Sequence, residues 1–213
     1  MTAPRSGSNP FSTRFVRPGA VPFLFPPDQD APGLVRALMS LGWRGAILGP
    51  HGSGKSTLVA ALLPVLREAG KEPLAVTLHD GQRTLPAEAW RELLRPAARV
   101  AVIDGYEQLS RWQRWRLRRL CRRRGHGLLA TAHTPVGLPI LLRLSVTPET
   151  AVRVIERLLT TVPEATALRP SASELAARLQ RQGENFREVL FELYDEYERQ
   201  RVIENLTRAS PTP

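Results

Sequence analysis

Cysteine is almost missing from this 213-residue chain: Cys121 stands alone, so no internal disulfide can form. No apolar stretch approaches the roughly 18 to 20 residues that crossing a bilayer requires, so no membrane span is expected. A secretory leader is also missing, since the first thirty residues are proline-rich and broken by arginine; the expected compartment is the cytoplasm. Lysine is nearly as scarce as cysteine. Of the 30 basic residues only Lys55 and Lys71 are lysines, so 28 are arginines and a lysine inside a motif carries more weight than usual. What remains is ordinary for a folded chain: 42% hydrophobic and 23% charged residues exclude wholesale disorder, and the length allows one sizeable domain or a domain with an appendage. The net charge of +10 raises a nucleic-acid hypothesis but says nothing of fold.

Residues 1–31 form a proline-rich arm, with prolines at 4, 10, 18, 22, 26 and 27 that forbid a regular helix through most of it. Its phenylalanines at 11, 15, 23 and 25 predict that part of the arm packs on the domain. From 32 to 162, short apolar runs alternate with helical patterns. Strands are expected at 43–49, 73–79, 99–105, 127–133 and 138–144, and helices at 32–41, 56–70, 86–94, 109–124 and 148–160. That alternation predicts an α/β fold built on a parallel five-stranded sheet covered on both faces. Residues 163–206 then read as a helical lid, with helices at 171–182 and 184–206, Ser171 and Glu174 in capping-box spacing, and a frayed tail at 207–213.

The chemistry is concentrated in one loop. Gly49-Pro50-His51-Gly52-Ser53-Gly54-Lys55-Ser56-Thr57 has the G-x-x-x-x-G-K-[ST] spacing of a phosphate-binding loop, with a strand entering and a helix leaving. Glycines let backbone N–H groups turn toward phosphate oxygens. Lys55 supplies the positive charge, the Ser56 hydroxyl is a Mg²⁺ ligand, and the helix N-terminus adds its dipole. A second element, Val100-Ala101-Val102-Ile103-Asp104, is an apolar strand ending in a carboxylate, which places Asp104 where it can share that Mg²⁺. The two read together as Walker A and Walker B, and the expected ligands are ATP and Mg²⁺.

Across roughly residues 33–200 the chain resembles the additional-strand division of P-loop NTPases, and within it the AAA+ ATPases and the STAND regulators; GPHGSGKST and VAVIDGYEQL carry the likeness. The resemblance implies a P-loop NTPase three-layer fold in which the 127–133 strand lies between the two motif strands, followed by a small helical lid. It also implies a sensor 1 position at the strand end Thr131-Ala132-His133, and a sensor 2 arginine, Arg187, in the segment Gly183-Glu184-Asn185-Phe186-Arg187-Glu188. One departure bears on mechanism. Where AAA+ members place glutamate directly after the Walker B aspartate, this chain has Gly105 and its next acid is Glu107, the candidate base in a D-x-x-E arrangement found in STAND-type proteins. The connection HTPVGLP holds no arginine finger, which speaks against a hexameric motor.

Residues 111–124 contain eight arginines and no acid, so the rest of the chain carries only +2. Arg111, Arg114, Arg118 and Arg122 fall on one helical stripe and Leu109, Leu117, Leu120 and Cys121 on another, with Trp112 and Trp115 interleaved. Such a surface can meet nucleic acid, an acidic partner or nucleotide on a neighbouring subunit, and the plain alternative is a solvated basic face. The function expected is an ATP-binding, Mg²⁺-dependent ATP-hydrolysing AAA+-like regulator or switch, working through a protein partner or self-association. Two alternatives stand beside it. One is a P-loop kinase using Asp80-Gly81-Gln82-Arg83 near a small acceptor; the other is a nucleotide-dependent adaptor that binds nucleic acid.

Overall fold

The computed structural model describes residues 9–12, 15, 20–97, 99–160, 162, 169–183 and 185–209. Glu184 and positions 210–213 of the expected tail lie outside them, as does much of the arm. In chain order the elements are α1 (Ala31–Ser40), β1 (Arg44–Leu48), α2 (Lys55–Glu68), β2 (Glu72–Thr77), α3 (Ala87–Leu94), β3 (Arg99–Asp104), a 3₁₀ turn (Tyr106–Gln108), α4 (Arg111–Arg124), β4 (Gly127–Ala132), β5 (Ile140–Arg143), α5 (Pro148–Leu159), α6 (Ala172–Arg181) and α7 (Phe186–Ala209).

The protein is α/β, with an all-parallel sheet of five strands in the order β2-β3-β4-β1-β5. β4 therefore lies between β1 and β3, the two strands that lead into the motif loops. The cause is visible in the sequence. β3 and β4 read Arg-Val-Ala-Val-Ile-Asp and Gly-Leu-Leu-Ala-Thr-Ala, and β4 is buried along its whole length, which a parallel strand achieves only with helices on both faces. β5 is half exposed, as suits an edge strand. The register sets Ile103 beside Ala130 and Leu48 beside Ala132, so the carboxyl ends of β1, β3 and β4 finish at one edge.

The chain divides into two compact units. The sheet unit comprises Phe25–Pro50 and Gly54–Leu144. Its core gathers Leu48, Ile103, Tyr106, Leu117 and Leu128, all nearly inaccessible. The helical unit comprises Met1–Leu24, His51–Ser53 and Ser145–Pro213. In it Phe11 packs with Ile155, Leu175, Val189 and Leu193, and Asn9 donates from Nδ2 to the Tyr194 carbonyl at 3.1 Å and to Glu198 at 2.9 Å. α5 thus groups with the C-terminal helices, whereas the alternation of strands and helices in the sequence ends the core after it, at 162. The amphipathic stripe Ala151, Ile155, Leu158 and Leu159 supplies the reason, since it faces α6 and α7 residues. The Ser171–Glu174 capping box forms at the start of α6, with the Ser171 hydroxyl accepting from the Glu174 N–H at 3.2 Å.

Candidate phosphate-binding site

The loop 49–54 leaves β1 at the sheet edge and enters α2. Leu58 is the first residue to bond back within that helix, to the Gly54 carbonyl at 2.8 Å, so the N–H groups ahead of it have no intrahelical acceptor and face the loop with the positive end of the helix dipole. Lys55 is the second layer of the arrangement. Only 9% exposed, it donates from Nζ to the carbonyls of Gly49 and Pro50, both at 2.7 Å, which fixes its ammonium over the loop. Burial pulls its pKa below the ordinary lysine value, opposed by the carboxylates of Glu107 and Asp104. Ser56 and Thr57 follow in the first turn, half-buried.

Parallel pairing brings the second group together. Because Ile103 pairs with Ala130, Asp104 comes level with Thr131 on β4. The Thr131 hydroxyl donates to Asp104 Oδ1 at 2.5 Å and accepts the Gly105 N–H at 2.9 Å. Gly105 explains why no acid follows Asp104 directly. Its φ is +80°, and a Cβ there would stand 2.8 Å from the Leu78 carbonyl oxygen, so any side chain is excluded and the next acid is displaced to the 3₁₀ turn.

That acid is Glu107. One oxygen, Oε1, lies 3.1 Å from His133 Nε2; the other, Oε2, is buried with no partner among the described residues. His133 Nδ1 in turn lies 3.0 Å from the Gly49 carbonyl oxygen and 3.3 Å from Lys55 Nζ. A carbonyl only accepts and an ammonium only donates, so Nδ1 cannot serve both at once: the neutral ring with its proton on Nε2 accepts from Lys55, and the doubly protonated ring donates to Gly49. His133 therefore links the loop, its lysine and Glu107 in one network.

Among the expected site residues, Gly49, Pro50, Lys55, Asp104, Glu107, Thr131 and His133 converge at this edge, with Gly54, Ser56 and Thr57 adjoining in sequence. His51, Gly52 and Ser53 group with the helical unit, as does Arg187. Within that unit a Cβ at Gly52, whose φ is +71°, would lie 2.6 Å from both the Arg187 backbone nitrogen and Asn185 Oδ1, so only glycine fits. Arg187 is itself exposed, its guanidinium 5.6 Å from the Phe191 ring centroid.

Glu107 Oε2 is an acceptor that the O–H of an ordered water would satisfy; in the helical unit the buried Ser53 hydroxyl likewise has no partner among the described residues. Among the described residues no group of three His, Cys, Asp or Glu side chains stands ready to hold a metal. A Mg²⁺ here would need phosphate oxygens and water to complete its shell, which is the ordinary habit of that ion.

A buried support was not legible in advance. Tyr106 is wholly buried behind Gly105, and Arg118 Nε donates to its hydroxyl at 2.9 Å while Nη2 donates to the Val136 carbonyl. The one local signal is an aromatic two residues after the strand's carboxylate; Arg118 belongs to the arginine stripe, and its periodicity does not give the partner. No protein-family model matches the chain, and no curated protein matches it.

Proposed function

We propose that the chain binds ATP with Mg²⁺ at residues 49–57 and hydrolyses it, and that the nucleotide state is read by the helical unit, making the protein an AAA+-like switch of the P-loop NTPase fold. The observation that carries this reading is the placement of the buried Lys55 ammonium on two loop carbonyls, beside Asp104 and the unpartnered Glu107 oxygen. Loop N–H groups and Lys55 would embrace the phosphates, and Ser56 and Asp104 would hold the metal. Bound Mg²⁺ would supply neutralisation of the phosphate charge. Glu107, held by His133 through one oxygen, accepts a water proton at the other, so the base is oriented before substrate arrives. In this reading Thr131 and His133 at the strand end, and Arg187 in the helical unit, take the phosphate-sensing roles, and the strand order with β4 between β1 and β3 supports the additional-strand likeness.

The test is nucleotide binding and phosphate release by the full chain. Lys55→Ala should weaken ATP binding about 10- to 150-fold, the worth of a charge-assisted hydrogen bond of about 1.5–3 kcal/mol. Glu107→Gln should retain binding and lose about 10²- to 10⁴-fold in hydrolysis. Unchanged ATP affinity in Lys55→Ala refutes the proposal, and ATP consumption that appears only with an added small acceptor replaces the switch by a kinase.

A further inference from the structure

The exposed face of α4 has no part in the site described above, and we propose that it binds single-stranded nucleic acid. Gln113, Leu117 and Cys121 seat the helix on the sheet unit, all buried. Successive residues turn by about 100°, so the opposite arc is made of Arg111, Trp112, Trp115, Arg119, Arg122 and Arg123, every one exposed. Trp112 and Trp115 are 59% and 56% accessible, two large indoles held in solvent one turn apart on the same arc as the arginines.

Charge complementarity selects an anionic partner. Between Glu107 and Glu149 the chain has no acid at all, and no arginine of α4 belongs to an ion pair among the described residues. Eight positive charges stand on a helix about 21 Å long. An open concavity of about 720 Å³ runs along this face, lined by Trp115 and six of the arginines.

The tryptophans narrow the choice to single strands. Arg119 lies 5.5 Å from the Trp115 ring centroid and Arg116 lies 5.4 Å from that of Trp112, so each indole has a cation near it while its residue stays more than half exposed. Unpaired bases stack on such surfaces between phosphate-binding arginines, whereas the bases of a duplex are already stacked on one another. A lipid surface fits less well. An interfacial helix buries an apolar face among acyl chains, but here Leu117 is fully buried and Leu120 half-buried against the sheet core, which leaves only the two indoles among the arginines. A protein partner would have to supply a matching run of acids to eight arginines, whereas each nucleotide of a strand brings its own negative charge.

The experiment uses the full chain and fluorescein-labelled oligonucleotides of about 20 nucleotides, single-stranded DNA, single-stranded RNA and duplex DNA, read by anisotropy over a salt series. Single strands should bind more tightly than duplex. Replacing Arg111, Arg119 and Arg122 together by glutamine should reduce the slope of log affinity against log salt by about 2, at about 0.7 per lost phosphate contact. The same three positions changed to lysine should keep the slope, which separates charge from any damage to the helix. Trp115→Ala should weaken single-strand binding by about 5- to 150-fold, from about 1–3 kcal/mol per stacked base, and leave duplex binding alone. Lys55→Ala should bind the oligonucleotides like the parent. The proposal is overturned by equal affinity for duplex with no effect of Trp115→Ala, by capture on phosphatidylglycerol vesicles without oligonucleotide binding, or by no binding at about 50 mM salt.

Discussion

Thr131 is the hinge of the sheet-edge geometry, and its replacement by valine separates hydrogen bonding from packing. The side chain is 1% exposed and nearly isosteric with valine, so the exchange changes little in volume. It removes the bond to the Asp104 carboxylate, a charge-assisted contact of about 1.5–3 kcal/mol, and leaves the Gly105 N–H without its acceptor at about 1–3 kcal/mol. The two losses share one atom and are not additive, which puts the destabilisation at about 2–5 kcal/mol. Thr131→Ser keeps both hydrogen bonds and forfeits one methyl, about 1 kcal/mol. All four tryptophans, Trp43, Trp90, Trp112 and Trp115, belong to the sheet unit, so urea unfolding followed by tryptophan fluorescence reports on that unit. With a slope of about 2–3 kcal/mol/M, the valine variant should unfold at about 1 M less urea or lower still, and the serine variant at about 0.4 M less. Valine unfolding at the parent's midpoint, or serine losing as much as valine, would refute the reasoning.

Two further outcomes follow from the ionisation states. Because burial lowers the Lys55 pKa, folding leaves fewer protons bound at that site than in the unfolded chain at pH values between the lowered pKa and 10.5; a phosphate beside it favours the charged form again. ATP affinity should therefore fall as pH rises through a value below 10.5 and stay level in Lys55→Arg, as measured by fluorescent-nucleotide titration; a parent affinity that stays flat up to 10.5 would contradict it. Cys121, fully buried in α4, has its thiol pushed up to about 11 by desolvation, so a disulfide reagent such as DTNB at about pH 8 should label no thiol in the native protein and one in urea. The same shift makes its contribution to stability whole below the unfolded value near 9 and lost as pH climbs to about 11. Rapid labelling of the native protein would contradict the burial of that face of α4.

The strands and the loop were legible because their signals are local. An apolar run ending in a turn, or glycines at fixed spacing before Lys55, can be read without knowing what lies beside them. The sheet order was legible only through likeness. What escaped was made by partners distant in sequence. His133 and Glu107 are 26 positions apart, and only the adjacency of β3 and β4 sets one imidazole between a loop carbonyl and a carboxylate. In α4 the arginine stripe of the sequence runs through Arg114 and Arg118, yet both are half-buried and Arg118 is committed to Tyr106 and Val136. Helical periodicity gives the angle between side chains but not which arc the sheet takes. Gln113 entered the buried arc although its amide has no apolar character, and Leu120 was left at the margin.

Gly105 shows why the position of an acid can be fixed by a residue that bears no side chain. An acid immediately after Asp104 would need a Cβ where the Leu78 carbonyl oxygen already stands, and a left-handed backbone as well. Leu78 is not free to move, because its own N–H donates to the Asp104 carbonyl at 2.8 Å and its side chain is buried in the sheet core. The chain must therefore turn at 105 and present its acid one short turn later. At Glu107 the carboxylate meets His133, while the Gly105 N–H is engaged by the Thr131 hydroxyl. The D-x-x-E spacing thus follows from the packing of β2 against β3 together with the Thr131 contact. A histidine at the end of β4 completes it, since Glu107 Oε1 would otherwise share the unpartnered burial of Oε2.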